Sequence, residues 1–171
     1  MFLLITGASG VGKTTVRRLV AGDFARVLDA AALADVTAAT GPEAVERAVQ
    51  RALGTPRRHF LLCGDPLAPS ELLAAPSAGR LREVAVCLLD ASEDAHRRRL
   101  FLRGDSPEQM ARHVAHAAWL HAHIVDRHRP ARWHAHVIDT SELRDYEVAA
   151  RVSAWLRRVI GLRARLRVAA G

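Results

Sequence analysis

The chain has 171 residues, is half apolar and carries a formal net charge of +7. The length and apolar content predict a single domain over residues 1–171, with a core large enough to fold alone. The positive charge predicts anionic partners. An aromatic content of only 5% and the lack of a recognition motif weigh against nucleic acid. No apolar run is long enough to span a membrane.

Short apolar runs alternate with helical patterns along the chain. Five of these runs are too continuous to have one solvated face, so we predict buried strands at residues 2–6, 25–29, 59–64, 83–90 and 135–139. Strands and helices in alternation predict an α/β fold, with a parallel sheet covered by helices on both faces.

Several helices carry clear start and stop signals. Ser106 and Gln109 have the spacing of a capping box, and Pro42 suits the first turn of an earlier helix. Ser92 precedes an acidic first turn, and Gly104 follows the same helix as its expected end.

The stretch GASGVGKTT, residues 7–15, follows the first predicted strand and contains Lys13, the only lysine of the chain. It fits the pattern G-x-x-x-x-G-K-S/T, and the next residues read as a helix that Gly22 would stop. This strand, loop and helix context predicts a P-loop, in which backbone N–H groups and the helix N-terminus bind phosphate. Lys13 is expected to reach the β and γ phosphates, and the Thr14 hydroxyl to ligate magnesium. The residues predicted to bind the nucleotide are Gly7, Ala8, Ser9, Gly10, Val11, Gly12, Lys13, Thr14 and Thr15.

Other P-loop classes lack support in this sequence. A guanine-reading N-K-x-D motif needs a second lysine, and an LSGGQ motif is absent. The third predicted strand ends in LLCGDP rather than in the Asp-Glu pair of mechanical ATPases.

The chain resembles the small P-loop kinases, the group of shikimate, gluconate, nucleoside and nucleotide kinases and chloramphenicol phosphotransferase. GASGVGKTT and VCLLDASEDAHRRRLFLRG carry the general likeness, whereas RGDSPEQMARH and VIDTSEL look most like chloramphenicol phosphotransferase. The resemblance implies a five-stranded sheet in a three-layer sandwich, strand order 2-3-1-4-5 and a helical lid at about residues 97–128. It also implies phosphorylation of a small molecule by ATP and magnesium, the acceptor being a nucleoside, a nucleotide or an antibiotic-like metabolite.

Two arginines are candidates for charge neutralisation during phosphoryl transfer. Arg99 and Arg103 lie where the lid of the family begins, and their spacing of four residues can place both on one helix face. The alternative interpretation is a solvated basic surface.

The acceptor side offers two carboxylates, each at the end of a predicted strand. Several members of the family carry an aspartate at the position of Asp29, which takes the proton of the acceptor hydroxyl or binds the substrate. We predict that Asp29 is the base, although it could instead cap the next helix. Asp65 could hold magnesium through water, or simply begin the turn at Pro66.

Cysteines and histidines suggest no further site. Cys63 and Cys87 lack metal-ligand spacing and lie in apolar runs, which favours reduced thiols in a cytosolic protein without a signal peptide. The implied strand order separates them by two strand spacings, about 9.5 Å, too far for a disulfide. His113, His116 and His123 could share a helix face, but no carboxylate or cysteine joins them at the spacing of zinc ligands.

A rival hypothesis from another class remains open at this point. In it the chain is a nucleotide-binding regulatory ATPase whose helix over residues 107–128 docks a protein. Release of ADP that depends on a small acceptor separates the kinase from this rival.

Overall fold

The structure is a computed structural model. It describes residues 1–27, 41–54, 60–63, 69–125 and 133–169, and within them the side chains of all but residues 21–27, 69 and 161–169.

Four strands and six α-helices make up the described residues. The strands are β1 (Phe2–Thr6), β2 (Phe60–Cys63), β3 (Val84–Asp90) and β4 (Trp133–Asp139). The helices are α1 (Lys13–Val27), α2 (Pro42–Gly54), α3 (Pro69–Leu73), α4 (Glu93–Arg103), α5 (Pro107–Val125) and α6 (Asp145–Ala169), with a short 3₁₀ turn at Ala78–Arg80.

The four strands form one parallel sheet in the order β2-β1-β3-β4. Successive residues of β1 face opposite sides of this sheet, as the period of a strand requires. Leu3 and Ile5 pack in one buried cluster with residues of α1 and α6, and Phe2 and Leu4 pack in another with residues of α2 and α5. Helices therefore cover both faces, which confirms the α/β class with its parallel sheet.

The prediction of five strands is wrong for the described residues, which contain four. Residues 25–27 of the strand predicted at 25–29 are the last turn of α1, and residues 28–29 lie outside the described part. Gly22 does not end α1, because one glycine inside a helix costs only about 0.5–1 kcal/mol. A short apolar run also has the same appearance in a strand and in a buried helix. The other four strands follow the predicted order.

The predicted helix signals at Pro42 and downstream of β3 are confirmed. The Ser92 hydroxyl accepts a hydrogen bond from the Ala95 N–H at 3.3 Å, and Gly104 closes α4 in a left-handed conformation at φ 90°. Ser106 and Gln109 form the reciprocal capping box, with N–H to side-chain oxygen distances of 2.8 Å and 3.2 Å. α2 begins at Pro42, as predicted.

The two cysteines flank the central strand. Cys63 and Cys87 both pair in register with Ile5, one from each side, and both are free thiols. Burial raises the pKa of the Cys87 thiol, so this side chain stays protonated at neutral pH. Two strand spacings keep the thiols apart, as the strand order predicted.

None of the described helices combines the length and the apolar character needed to cross a membrane.

Candidate functional site

The predicted phosphate-binding loop connects β1 to α1 at the carboxyl edge of the sheet. Five buried residues of β1 lead into it, and α1 begins at Lys13 with a hydrogen bond from the Val16 N–H to the Gly12 carbonyl at 3.0 Å. The first N–H groups of a helix have no partner within the helix, and they carry its positive end. The chain therefore places an anion-binding helix terminus directly after the glycine-rich loop.

Two glycines of this loop are required for different reasons. A Cβ on Gly7 would lie 2.5 Å from the Leu89 carbonyl oxygen and 2.7 Å from Val11 Cγ2, so the loop needs glycine where it passes β3. Gly12 has φ +98°, a conformation that side chains disfavour, while the space around its missing Cβ is open. The loop backbone thus passes close to β3 at Gly7 and has open space beside it at Gly12.

Lys13 folds back over the loop. Its Nζ donates hydrogen bonds to the carbonyl oxygens of Gly7 and Ala8, both at 2.7 Å. Thr14, in the first turn of α1, is exposed, and Thr15 is half-buried. An ammonium group, a helix N-terminus and an exposed hydroxyl together fit a phosphate group and a hard cation such as Mg²⁺.

One face of α4 packs against the phosphate-binding loop. A Cβ on Gly10 would lie 2.8 Å from Leu100 Cδ2, and His96 Nε2 lies 2.6 Å from the Ser9 carbonyl oxygen. One turn beyond Leu100, Arg103 Nη1 donates to the Ser9 hydroxyl at 2.8 Å. Positions 96, 100 and 103 share a helix face because a turn takes 3.6 residues. α4 therefore contacts the loop at three successive levels.

Arg103 also binds an acidic side chain of the α4–α5 connection. Its guanidinium donates to both carboxylate oxygens of Asp105, and the Nε to Oδ1 distance is 2.8 Å. These hydrogen bonds hold the pKa of Asp105 below its usual range. His113 Nε2 lies 3.6 Å from the same carboxylate, and burial first, then the charge of Arg103, lowers the pKa of this histidine. A neutral His113 and an ionised Asp105 thus border the arginine that contacts Ser9 of the loop.

Arg99 has different partners from Arg103. Its guanidinium donates to the Thr140 hydroxyl at 2.9 Å, to the Thr140 carbonyl and to the Ser141 carbonyl at 3.3 Å. Thr140 in turn donates from its hydroxyl and its N–H to the Asp90 carbonyl, both at 2.8 Å. In this structure Arg99 ties α4 to the carboxyl ends of β3 and β4, whereas Arg103 contacts the loop.

The two predicted acceptor-side aspartates, Asp29 and Asp65, lie outside the described residues. Their roles remain predictions.

Three residues of this region were missed by sequence reasoning. His96 contacts Ser9, and Asp105 binds Arg103, as described above. Asp90 accepts a hydrogen bond from His121 Nδ1 at 2.5 Å. His96 could have been found from its spacing, because it lies two helical turns before Arg103 and therefore on the same face of the predicted helix. Two histidines of α5, His116 and His123, both contact the Trp119 ring. The described residues contain no group of three or more metal-ligand side chains that could hold a metal ion.

Comparison with known proteins shows likeness in fold. In sequence, the chain matches no family model and no curated protein. A sugar kinase from Janibacter sp. superposes with a TM-score of 0.61 at 16% identity, over 91% of this chain and 93% of that protein. A gluconokinase from Sinorhizobium meliloti gives 0.55 at 18% identity, over 92% and 91%. A shikimate kinase from Aquifex aeolicus gives 0.54 at 11% identity, over 94% and 98%.

Proposed function

We propose that this chain, which has the fold of the small P-loop kinases, transfers the γ-phosphate of ATP to a small-molecule acceptor. The observation that carries the proposal is the P-loop itself, with Lys13 bound across the carbonyls of Gly7 and Ala8 at the carboxyl edge of the sheet. The solved structures of similar fold include sugar, shikimate and gluconate kinases, all of which act on small molecules. A closer likeness to chloramphenicol phosphotransferase stays a prediction.

Each group of the loop has a role that follows from its chemistry. Lys13 exchanges its two carbonyl partners for phosphate oxygens, because an anion is the stronger partner of an ammonium group. The N–H groups at the start of α1 bind the same phosphates, and the Thr14 hydroxyl is the expected protein ligand of magnesium. Magnesium would supply further neutralisation of the phosphate charge. Phosphoryl transfer demands this kind of positioning and neutralisation more than covalent chemistry.

Arg103 is our candidate for the arginine that neutralises the transferring phosphoryl group. It already touches Ser9 of the loop, and its side chain is 42% exposed. Turning from Asp105 to phosphate would replace one charge-assisted pair with another. Arg99, predicted for the same role, would first have to leave its acceptors at Thr140 and Ser141.

The acceptor would enter at the carboxyl edge of the sheet, where ligands of doubly wound sheets bind. Asp29 is the proposed base, and Asp65 the proposed water-mediated magnesium contact. Nucleosides, nucleotides, antibiotic-like metabolites and hydroxylated acids such as shikimate and gluconate are the acceptor classes to test. The free, buried thiols of Cys63 and Cys87 agree with a cytosolic location, which we propose on that basis.

An acceptor screen tests the proposal. ADP formation would be measured with ATP and magnesium, with and without each acceptor, and again after chelation of the metal. The kinase predicts ADP formation that depends on one acceptor class and on magnesium. ADP formation that no acceptor stimulates, but that a protein partner changes, would instead favour a regulatory ATPase.

A further inference from the structure

A buried histidine lies behind the phosphate-binding loop and has no part in the chemistry described so far. His96, in the first half of α4, is 1% exposed, and its Nε2 lies 2.6 Å from the carbonyl oxygen of Ser9. A carbonyl oxygen only accepts hydrogen bonds, so Nε2 must carry the hydrogen. The tautomer of this ring is therefore fixed by the loop.

This hydrogen bond orients one peptide group of the loop. In a trans peptide the C=O and the following N–H point in opposite directions, and the structure contains no cis peptide bond among its described residues. Holding the Ser9 carbonyl toward α4 turns the Gly10 N–H away from α4. Gly10 precedes the first residue of α1 by three positions, so this N–H belongs to the loop segment that leads into the anion-binding end of that helix.

The residue that follows Ser9 restricts the backbone little. Gly10 has φ +88° and no side chain to limit its backbone. Leu100 packs against Gly10, but an apolar contact has no direction and cannot select one orientation of a peptide group. Arg103 holds the Ser9 hydroxyl, whose rotation about χ1 is independent of the peptide plane. Of these three contacts from α4, only the one from His96 fixes the plane.

We propose that His96 is a positioning residue that sets the affinity for nucleotide by holding the Ser9–Gly10 peptide with its N–H toward the phosphates. The inference rests on the proposed nucleotide-binding function. It adds a residue outside the G-x-x-x-x-G-K-T stretch to the determinants of binding. A hydrogen bond that prearranges a site strengthens binding by lowering the cost of ordering the loop.

Two substitutions at one position test the proposal. His96→Leu keeps an apolar side chain of similar reach but removes the donor, and His96→Gln retains an amide N–H near the place of Nε2. Binding of ADP with magnesium would be measured by calorimetry for each folded variant. We expect the Kd to rise about tenfold for His96→Leu, the equivalent of one hydrogen bond, and to return most of the way for His96→Gln.

The matched control is His123→Leu, which removes an exposed histidine from α5. Its Kd should stay within about twofold of the unaltered protein, since a change below about 0.5 kcal/mol is typical of surface substitutions. Unchanged ADP binding in folded His96→Leu would overturn the proposal, and so would a His96→Gln variant no better than His96→Leu. If the unaltered protein itself fails to bind ADP, the proposed function falls as well.

A second measurement needs no variant. Nitrogen NMR of histidine-labelled protein reports which ring nitrogen carries hydrogen. The proposal requires a protonated Nε2 on His96 and a shift of the Gly10 amide resonance when ADP is added. A ring with hydrogen on Nδ1 alone, or an unmoved Gly10 amide in the ADP complex, would contradict it.

Discussion

Replacement of Gly7 by alanine tests the packing of the loop against the sheet. The added Cβ would lie 2.5 Å from the Leu89 carbonyl oxygen and 2.7 Å from Val11 Cγ2. Leu89 is fully buried in β3, the neighbour of β1, and a backbone atom of a central strand cannot move aside as a flexible side chain can. Either β3 or the start of the loop must shift.

The expected cost is at the upper end for an overpacked site, about 3 kcal/mol. For a chain of this length each kcal/mol lowers Tm by about 2–4 °C, so Gly7→Ala should unfold about 6–12 °C earlier. Gly12→Ala adds a Cβ to open space, and only its positive φ is penalised, at about 1–2 kcal/mol. Thermal unfolding followed by circular dichroism measures both.

Gly54→Ala is the control, because Gly54 ends α2 without close neighbours and without a positive φ. It should be neutral or stabilising by a few tenths of a kcal/mol, about the gain of alanine in a helix. The reasoning is refuted if Gly7→Ala unfolds no earlier than Gly12→Ala, since the close approach to Leu89 would then carry no energy.

Four further predictions concern charged residues. Arg99→Ala should lower the free energy of unfolding by about 2 kcal/mol, because the buried Thr140 loses a charged donor. Arg97→Ala, which removes an exposed ion pair, should lower the same free energy by no more than about 0.5 kcal/mol. Urea titration measures both variants, and equal losses would contradict the structural role of Arg99. Hydrogen bonds from the Ser141 hydroxyl, first, and from its N–H lower the pKa of Asp139. The ionised Asp139 therefore stabilises the folded protein fully above about pH 4, and this stabilisation is lost as pH falls through the lowered pKa. The difference in unfolding free energy between the unaltered protein and Asp139→Asn should therefore shrink from pH 7 to pH 3, and a constant difference would refute this. Once the acceptor is known, Asp29→Asn should lower kcat by about 100-fold with little change in ATP affinity. Normal turnover by Asp29→Asn would show that Asp29 is a helix cap and not the base. Asp65→Asn should instead raise the magnesium concentration that the reaction requires.

Local signals predicted those parts of the fold that short-range chemistry determines. The capping box of Ser106 and Gln109 and the end of α4 at Gly104 were readable because each involves residues only a few positions apart. The order of the four described strands followed from the family resemblance. The strand predicted at residues 25–29 failed because three of its residues continue α1, and a run as short as ARVLD does not specify its period.

Long-range contacts explain what the sequence could not reveal about the site. Arg99 and Arg103 have a spacing that predicts one helix face, yet they lie about one turn apart along the axis of α4 and reach different partners. The contact of His96 with Ser9 joins residues 87 positions apart. Such a pair becomes visible only when α4 is placed against the loop.

The most direct test of the central claim is acceptor-dependent ADP formation in the Lys13 variants. Lys13→Ala should remain folded but lose at least about 100-fold in kcat, the scale of one lost electrostatic contact to the transferring group. Lys13→Arg should also be badly impaired, because a planar fork does not fit a loop in which one ammonium bridges the carbonyls of Gly7 and Ala8. Full activity of Lys13→Arg, or ADP formation by the unaltered protein that no acceptor stimulates, would contradict the account.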